Sequence, residues 1–268
     1  MAVLSADLQD VGFQFPYIPP DSSDPSEESP TGLFAEVALG ASNTERLLLP
    51  VFLDQPEEIV TAFLATLSEA EKLEAGRLRR PLDRRNYVVA HGRLREFLGE
   101  RLEIKPEKVC LGLNRYGKPG LAGNQAASGW HFNISYCRGK DNNLALCALS
   151  RQDPIGVDVE QLRPLRHAES VARHFFSPQE YEVLMGLPAD RRMLAFFLCW
   201  TRKEAFIKAL GRGLSCDLTA FDVSLDPDMP ARILRIRGVP AGGCGWRLDS
   251  IGPVGNRVAA VVLRQRED

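Results

Sequence analysis

The sequence predicts a protein that contains both helices and strands, because apolar patterns of helical period and apolar patterns of strand period occupy separate runs of the chain. Each half of the 268 residues carries helical patterns first and strand patterns afterwards. The alternating segment W-H-F-N-I-S-Y-C (130–137) is followed, after a short polar turn, by L-A-L-C-A-L (144–149). These two segments predict an antiparallel hairpin. No internal sequence repeat is evident.

The composition is typical of a soluble globular protein, with 44% hydrophobic and 25% charged residues. The formal net charge of −2 argues against general affinity for nucleic acid or for anionic membranes. No stretch approaches the ~20 apolar residues of a membrane span, and residues 1–10 lack a secretion leader, so a cytoplasmic protein is expected. Six cysteines without a C-x-x-C pair predict reduced thiols.

Proline content, charge and periodicity divide the chain into three predicted regions. Residues 1–44 are rich in proline and acidic side chains and predict a flexible N-terminal extension. Residues 45–153 and 154–268 are predicted to form an N-terminal and a C-terminal subdomain, each long enough to bury a core.

The N-terminal region opens with a predicted strand, L-L-L-P-V-F-L, and a helix follows over 55–66. Ser68, with Glu71 three residues later, matches a capping box and predicts the start of a second helix. Pro81 should end that helix, and Asp83 should cap a third one.

Arginines are concentrated around the third predicted helix. Eight lie within one short stretch: Arg77, Arg79, Arg80, Arg84, Arg85, Arg93, Arg95 and Arg101. A solvated helix face is the ordinary interpretation. The alternative is a seat for a phosphorylated ligand, because guanidinium groups bind phosphate oxygens in bidentate geometry. A glycine- and proline-rich turn further along the chain carries Lys118.

The second half opens with the clearest strand pattern, P-I-G-V-D-V-E-Q-L. Its alternation places Asp158 and Glu160 on one face, roughly 7 Å apart. A solvated strand face would show the same pattern. Together with Glu204, however, the three carboxylates would form an all-oxygen site suited to Mg²⁺ or Mn²⁺. The last pattern, R-V-A-A-V-V-L-R, is apolar enough to be a central strand.

A long apolar helix is predicted to end at the glycines that follow Leu210, and a second capping box, Ser177 with Glu180, precedes it. Glu204 and Lys208 lie one turn apart on a side of this helix that is otherwise packed. Burying an unpaired charge costs several kcal/mol, so each charge needs a partner. The two form a structural ion pair, or they hold a metal or a ligand phosphate.

Two segments, G-V-D-V-E at 156–160 and W-T-R-K-E-A-F-I-K-A-L-G-R-G-L at 200–214, together resemble the signature of the Sfp-type 4′-phosphopantetheinyl transferases. G-K-P at 117–119 and F-N-I-S at 132–135 fit the same family. The stretch D-R-R-N-Y-V-V-A-H-G-R-L-R at 83–95 is similar to the basic helix of that family.

The resemblance, which covers about residues 65–263, implies an α+β protein of two similar α/β subdomains related by a pseudo-twofold axis. Coenzyme A (CoA) would lie in the cleft between them, and the protein would be a monomer. By resemblance, Asp158, Glu160 and Glu204 would bind Mg²⁺, with Mn²⁺ as an alternative, against the CoA pyrophosphate. Lys208 would lie beside the transferred phosphate.

The resemblance also points to CoA-binding positions. Lys118 and Ser135 match positions that contact CoA phosphates. The family usually has a histidine at the 3′-phosphate, where this chain has Tyr136. A tyrosine brings no charge, so either affinity for the 3′-phosphate falls or another side chain compensates. The candidates for this compensation are Arg84, Arg85 and His131.

The implied reaction transfers the 4′-phosphopantetheine arm of CoA to a serine of an acyl or peptidyl carrier protein and releases adenosine 3′,5′-bisphosphate. The carrier would belong to fatty-acid, polyketide or nonribosomal-peptide synthesis. Lys208 would stabilise the leaving phosphate, and Glu204 is the candidate base. Two other classes stay open. The carboxylates alone permit a metal-dependent nucleotide hydrolase, and a carrier-binding module would need Glu204 and Lys208 only as an ion pair.

Overall fold

A computed structural model of the chain describes residues 37–38, 46–137, 143–213, 216–237 and 245–264. The extension predicted over 1–44 lies outside these residues, except for strand β1 (Val37–Ala38). This strand pairs antiparallel with the strand that follows it. The flexible character of the extension over 1–44 stays a prediction.

Helices and strands are mixed in both halves, as the sequence predicted. After β1, the N-terminal half contains β2 (Arg46–Phe52), α1 (Glu57–Thr66), α2 (Glu69–Arg77), α3 (Pro81–Leu102), β3 (Leu111–Leu113), β4 (Pro119–Leu121), β5 (Trp130–Tyr136) and β6 (Leu144–Arg151). The C-terminal half contains β7 (Ile155–Gln161), α4 (Ala168–Phe175), α5 (Pro178–Gly186), α6 (Ala189–Leu210), β8 (Phe221–Val223), β9 (Ile233–Ile236), β10 (Trp246–Val254) and β11 (Arg257–Arg264). Among the helices described, none has both the length and the apolar character needed to cross a membrane.

Helix starts follow the sequence signals with one exception. Both predicted capping boxes form, at the beginnings of α2 and α5. The predicted cap at Asp83 is wrong, because α3 begins at Pro81, with Arg80 as the N-cap and no side-chain cap. Proline suits the first helical position, since its φ is already helical and the N–H it lacks would have no partner there. Asp83 therefore lies inside the first turn.

Two antiparallel sheets have the strand orders β1-β2-β6-β5 and β10-β11-β7. In the first sheet, β2 pairs with β6 and β6 with β5. In the second, β7 pairs with β11 and β11 with β10, so β11 is central as predicted. From β2 onward, the N-terminal half thus has the same element order and pairing scheme as the C-terminal half, although their sequences show no repeat. Two short hairpins, β3–β4 and β8–β9, complete the described sheets.

Apolar side chains form three clusters, set by strand alternation. On β6, Cys147 packs toward the helices of its own half, whereas Leu146 faces the other sheet. On β11, Val262 packs toward the helices of its own half, whereas Val261 faces the other sheet. Each sheet therefore has one face under its own helices and one face against the other sheet. On β7, Val157 belongs to the layer between the sheets, so the alternate residues of that strand face α6.

Each half buries one glutamate of its capping box against a cation from its longest helix. Arg95 Nε and Nη2 donate to Glu71 Oε2 at 2.9 and 2.6 Å. Lys203 Nζ lies 2.7 Å from Glu180 Oε2. Arg95 is therefore neither a solvated residue nor a phosphate ligand, the two roles that the arginine cluster suggested. For the other seven arginines, the two interpretations given by the sequence stay as they were.

Candidate active site

Three polar side chains meet at the junction of the two halves. Lys208 Nζ lies 2.6 Å from Asp158 Oδ1 and donates to Ser135 Oγ at 2.9 Å. Ser135 Oγ donates in turn to the same Asp158 oxygen at 2.8 Å. Ser135 comes from β5, Asp158 from β7 and Lys208 from α6. The cluster is therefore shared between the N-terminal and the C-terminal half.

Gly156 allows α6 to lie directly on β7. A Cβ atom at this position would come within 2.1 Å of the Ala205 carbonyl oxygen and 2.3 Å of the Ala209 backbone nitrogen. Such distances are atomic overlaps, so the contact requires a glycine. Asp158 follows two residues later on the same strand face. The close approach thus sets Asp158 against the turn of α6 that carries Lys208.

Three carboxylates, those of Asp158, Glu160 and Glu204, share this junction. Burial, followed by the charge of Asp158, raises the pKa of Glu160 and of Glu204 to about 7. Lys208 acts in the opposite direction on both groups. Glu160 is also paired with Arg163 at 3.1 Å. Because the charge of Asp158 raises the pKa of both glutamates, a cation bound among the three carboxylates would offset part of their repulsion.

The donor chemistry fits a divalent cation. Asp158 Oδ2 and Glu204 Oε1 are buried and have no hydrogen-bond partner among the described residues. Carboxylate oxygens are the ligands that Mg²⁺ and Mn²⁺ prefer. Within the described ranges, no three His, Cys, Asp or Glu side chains already converge as a metal-binding group. The fit therefore rests on these two oxygens and not on a preformed ligand shell.

The chain is similar to known proteins over most of its length. The family model of the 4′-phosphopantetheinyl transferase superfamily matches residues 154–262, which include Asp158, Glu204 and Lys208. The 4′-phosphopantetheinyl transferase HetI of Nostoc sp. is 40% identical over 211 residues, which is 79% of this chain and 84% of HetI. The chain belongs to the 4′-phosphopantetheinyl transferase superfamily. It is therefore an enzyme of the transferase class, as its signature segments predicted.

Further relatives of this transferase extend the comparison. A putative 4′-phosphopantetheinyl transferase of Synechocystis sp. is 33% identical over 199 residues, covering 74% of this chain and 76% of the relative. Sfp of Bacillus subtilis is 28% identical over 180 residues, covering 66% and 76% respectively. A solved ACPS–CoA complex from Chronobacterium ammoniagenes is 21% identical and covers 43% of this chain and 98% of that chain, with a TM-score of 0.31.

Three residues predicted to bind CoA lie at different depths in the transferase. Ser135 belongs to the cluster at the junction. Tyr136 follows it at the end of β5 and is half-buried. Arg84 is exposed in the first turn of α3, where Nη2 donates to the Leu78 carbonyl at 3.3 Å. For all three residues, contact with CoA stays a prediction.

Lys118, the fourth predicted CoA contact, reaches into the C-terminal half. Its Nζ donates to the carbonyl oxygens of Ile155 at 3.0 Å and Ala209 at 3.4 Å. Burial lowers the pKa of this ammonium to about 8. The charge is thus engaged with backbone atoms of β7 and α6, and contact of Lys118 with a CoA phosphate stays a prediction.

Two asparagines have roles that the sequence analysis missed. Asn133 Oδ1 accepts from the Val157 backbone N–H at 2.8 Å and joins β5 to β7. Asn114 Nδ2 donates to the Gly211 carbonyl at 2.9 Å. A signal existed for Asn133, because it lies on the same strand face as Ser135. None existed for Asn114, since asparagine is ordinary in a turn.

Proposed function

We propose that this transferase moves the 4′-phosphopantetheine arm of CoA to a serine hydroxyl of an acyl or peptidyl carrier protein, requires Mg²⁺ and releases adenosine 3′,5′-bisphosphate. The proposal rests on the cluster of Ser135, Asp158 and Lys208 at the junction of the two halves, in a chain that belongs to this superfamily. Lys208 lies against Asp158, and two buried carboxylate oxygens have no partner among the described residues. This combination suits a phosphorylated substrate held with a divalent cation.

The step breaks the bond between the phosphorus of the arm and the oxygen of the departing bisphosphate. A bond from the serine oxygen to the same phosphorus forms, and the serine proton passes to Glu204, the proposed base. An ammonium has three donors. Two donors of Lys208 bond Asp158 and Ser135, so among the described contacts one remains for a phosphate oxygen. Lys208 thereby stabilises the negative charge of the leaving group.

The proposed metal ligands are Asp158, Glu160 and Glu204. When bound there, Mg²⁺ would neutralise charge on the CoA pyrophosphate. Ser135 holds the Asp158 carboxylate and the Lys208 ammonium in a fixed relation. A buried charge pair of this kind needs little reorganisation when charge develops on the substrate.

We also propose that residues 45–153 and 154–268 are two subdomains related by a pseudo-twofold axis, with CoA in the cleft between them. The repeated element order and strand pairing supports this arrangement. Ser135, Tyr136 and Arg84 are the proposed CoA contacts. The proposed setting is a cytoplasmic monomer that acts on carrier domains of fatty-acid, polyketide or nonribosomal-peptide synthesis.

Intact-protein mass spectrometry tests the reaction. Apo carrier proteins of all three classes are incubated with the transferase and CoA, with Mg²⁺ or with EDTA, beside a carrier whose acceptor serine is alanine. The expected result is a gain of one phosphopantetheine arm that requires both Mg²⁺ and the serine. CoA cleavage without a carrier would replace the proposal with a hydrolase. Carrier binding without a mass gain in any class would indicate a binding module.

A further inference from the structure

A turn of the N-terminal half closes over the end of α6. Residues 114–118 connect β3 to β4, and Asn114 Oδ1 accepts from the backbone N–H groups of Tyr116 at 2.8 Å and Lys118 at 2.9 Å. One side chain thus fixes the shape of the turn. The other end of the same amide donates to the Gly211 carbonyl, just past the last residue of α6, at 2.9 Å.

Lys118 makes the second attachment. The last carbonyls of a helix have no partner within the helix, and this end carries partial negative charge. The Lys118 ammonium donates to one of these carbonyls, that of Ala209. It also donates to the carbonyl of Ile155, the first residue of β7. One side chain from the N-terminal half therefore ties the start of β7 to the end of α6.

The end of α6 packs closely against the turn. Gly211 ends the helix in a left-handed conformation with φ of 65°. A Cβ atom there would lie 3.0 Å from Lys118 Cδ and 3.3 Å from Asn114 Nδ2. A Cβ atom on Gly213 would lie 3.3 Å from the Tyr116 carbonyl oxygen. Glycine at these two positions therefore lets the end of α6 approach the turn closely.

We propose that Asn114 and Lys118 are positioning residues for the transfer reaction, and we call residues 114–118 the clamp. The clamp holds the last turn of α6 and the start of β7 together. Lys208 directly precedes Ala209, and Asp158 lies three residues after Ile155, so both reactive side chains depend on the two elements that the clamp joins. This inference rests on the proposed function, because it assigns what the clamp positions.

The test compares Asn114→Ala, Lys118→Met and Lys118→Arg with Arg115→Ala. Arg115 is an exposed cation of the same turn that stacks on the Tyr116 ring, with 4.7 Å from Cζ to the ring centroid. Carrier modification gives kcat and KM, equilibrium binding gives the Kd for CoA, and hydrogen–deuterium exchange reports on the peptide 205–213.

Asn114→Ala and Lys118→Met should each lower kcat by roughly tenfold or more, because a displacement of about 1 Å can cost up to 10²-fold. The Kd for CoA should stay within about twofold, and exchange in 205–213 should rise. Lys118→Arg should recover most of the kcat, since it keeps a charged donor. The double variant Asn114→Ala/Lys118→Met should cost little more than either single change. Arg115→Ala should match the wild type.

Other outcomes would overturn the inference. A weaker Kd for CoA in Lys118→Met but not in Asn114→Ala would make Lys118 a phosphate ligand. An unchanged kcat in both variants would remove the positioning role. If Lys118→Met does not fold, Asn114→Ala decides, because it removes no charge. If the wild type transfers nothing, the proposed function fails, whereas exchange in 205–213 still shows whether the clamp holds α6.

Discussion

The two halves of this transferase share an order of helices and strands and a strand-pairing scheme, but the charged side chains of the junction all lie in the C-terminal half. Both α3 and α6 have 22 residues. The fifteenth residue of each, Arg95 or Lys203, is a buried cation paired with a capping-box glutamate. The sixteenth and twentieth residues of α6 are Glu204, which is buried, and Lys208, which is half-buried.

The same positions of α3 carry Glu96 and Glu100, with side chains 35% and 66% exposed. Glu96 pairs with Arg93 on the helix surface at 2.6 Å. The buried ion pairs, Arg95 with Glu71 and Lys203 with Glu180, are therefore common to both halves. Of the two helices, only α6 has a buried glutamate and a lysine at these positions, and the lysine pairs with Asp158. Glu204 and Lys208 are therefore features of the site.

The buried ion pairs themselves differ in electrostatics. Burial alone would raise the pKa of Glu71, but hydrogen bonds from three neighbours outweigh burial and hold it well below its usual range: His91, Arg95 and Ser68. For Glu180, burial prevails over Lys203 and the pKa is raised. Lys203 shares its ammonium with two backbone carbonyls, whereas the Arg95 guanidinium directs two N–H groups at one carboxylate oxygen.

The largest expected effect tests whether both ion pairs support the fold. Glu71→Ala and Glu180→Ala should each lower the free energy of unfolding by about 3–5 kcal/mol, because each leaves Arg95 or Lys203 buried without its counter-charge. Urea denaturation measures the change. Glu69→Ala, which removes an exposed surface pair, is the control and should cost less than about 1 kcal/mol. If Glu71→Ala or Glu180→Ala lowers the free energy of unfolding no more than Glu69→Ala does, that buried ion pair does not support the fold.

The second prediction separates the two helices by activity. Glu204→Gln should lower the rate of carrier modification by about 10²–10³-fold, since it removes a buried charge at the site without changing side-chain shape. Glu96→Gln changes the same position of α3 and should stay within about twofold of the wild type. Initial rates of carrier mass gain provide the measurement, with circular dichroism to verify folding. Similar losses in both variants would contradict the assignment of the reactive carboxylate to α6.

The third prediction concerns how closely β7 and α6 pack. Gly156→Ala should lower the free energy of unfolding by about 1–3 kcal/mol, because its methyl group overlaps the backbone of α6. Activity should fall as well, since Lys208 and Asp158 move apart. Gly76 in α2 has nothing within 4 Å of a Cβ atom, so Gly76→Ala should instead stabilise by about 0.5–1 kcal/mol. Thermal unfolding distinguishes the two signs, and a neutral Gly156→Ala would argue against the contact.

The smallest expected difference is in the pH dependence of stability. The pKa of Glu71 is lower in the folded state than in the unfolded chain, so its contribution is present above about pH 4.3 and is lost as the pH falls. The pKa of Glu180 is raised, so its contribution is present at low pH and is lost as the pH rises through that raised value.

Urea titrations between about pH 3 and pH 7 would show the two signs. Glu71→Gln should flatten the rise of stability with pH, and Glu180→Gln should remove a slope of the opposite sign. Equal changes of slope in the two variants would contradict the electrostatic difference between the halves.

Much of the fold was predictable because its signals are local. Both capping boxes, the glycine that ends α6 and the central position of β11 were all read correctly from neighbouring residues. The cap of α3 was not, because Pro81 and Asp83 offered competing starts within one turn. At the site, alternation placed Asp158 and Glu160 on one strand face, and helical spacing placed Lys208 one turn from Glu204, but that this strand face packs against α6 came only from the structure.

Local patterns predicted where helices begin and end and which residue types meet at the junction, because caps and periodicity depend on residues within a few positions of each other. They could not show that the Arg95 guanidinium is buried, since its partner Glu71 lies on another helix. Nor could they show that Lys118 reaches Ala209, 91 residues away. Such contacts depend on which distant segments the packed sheets bring together, and only the tertiary structure decides that.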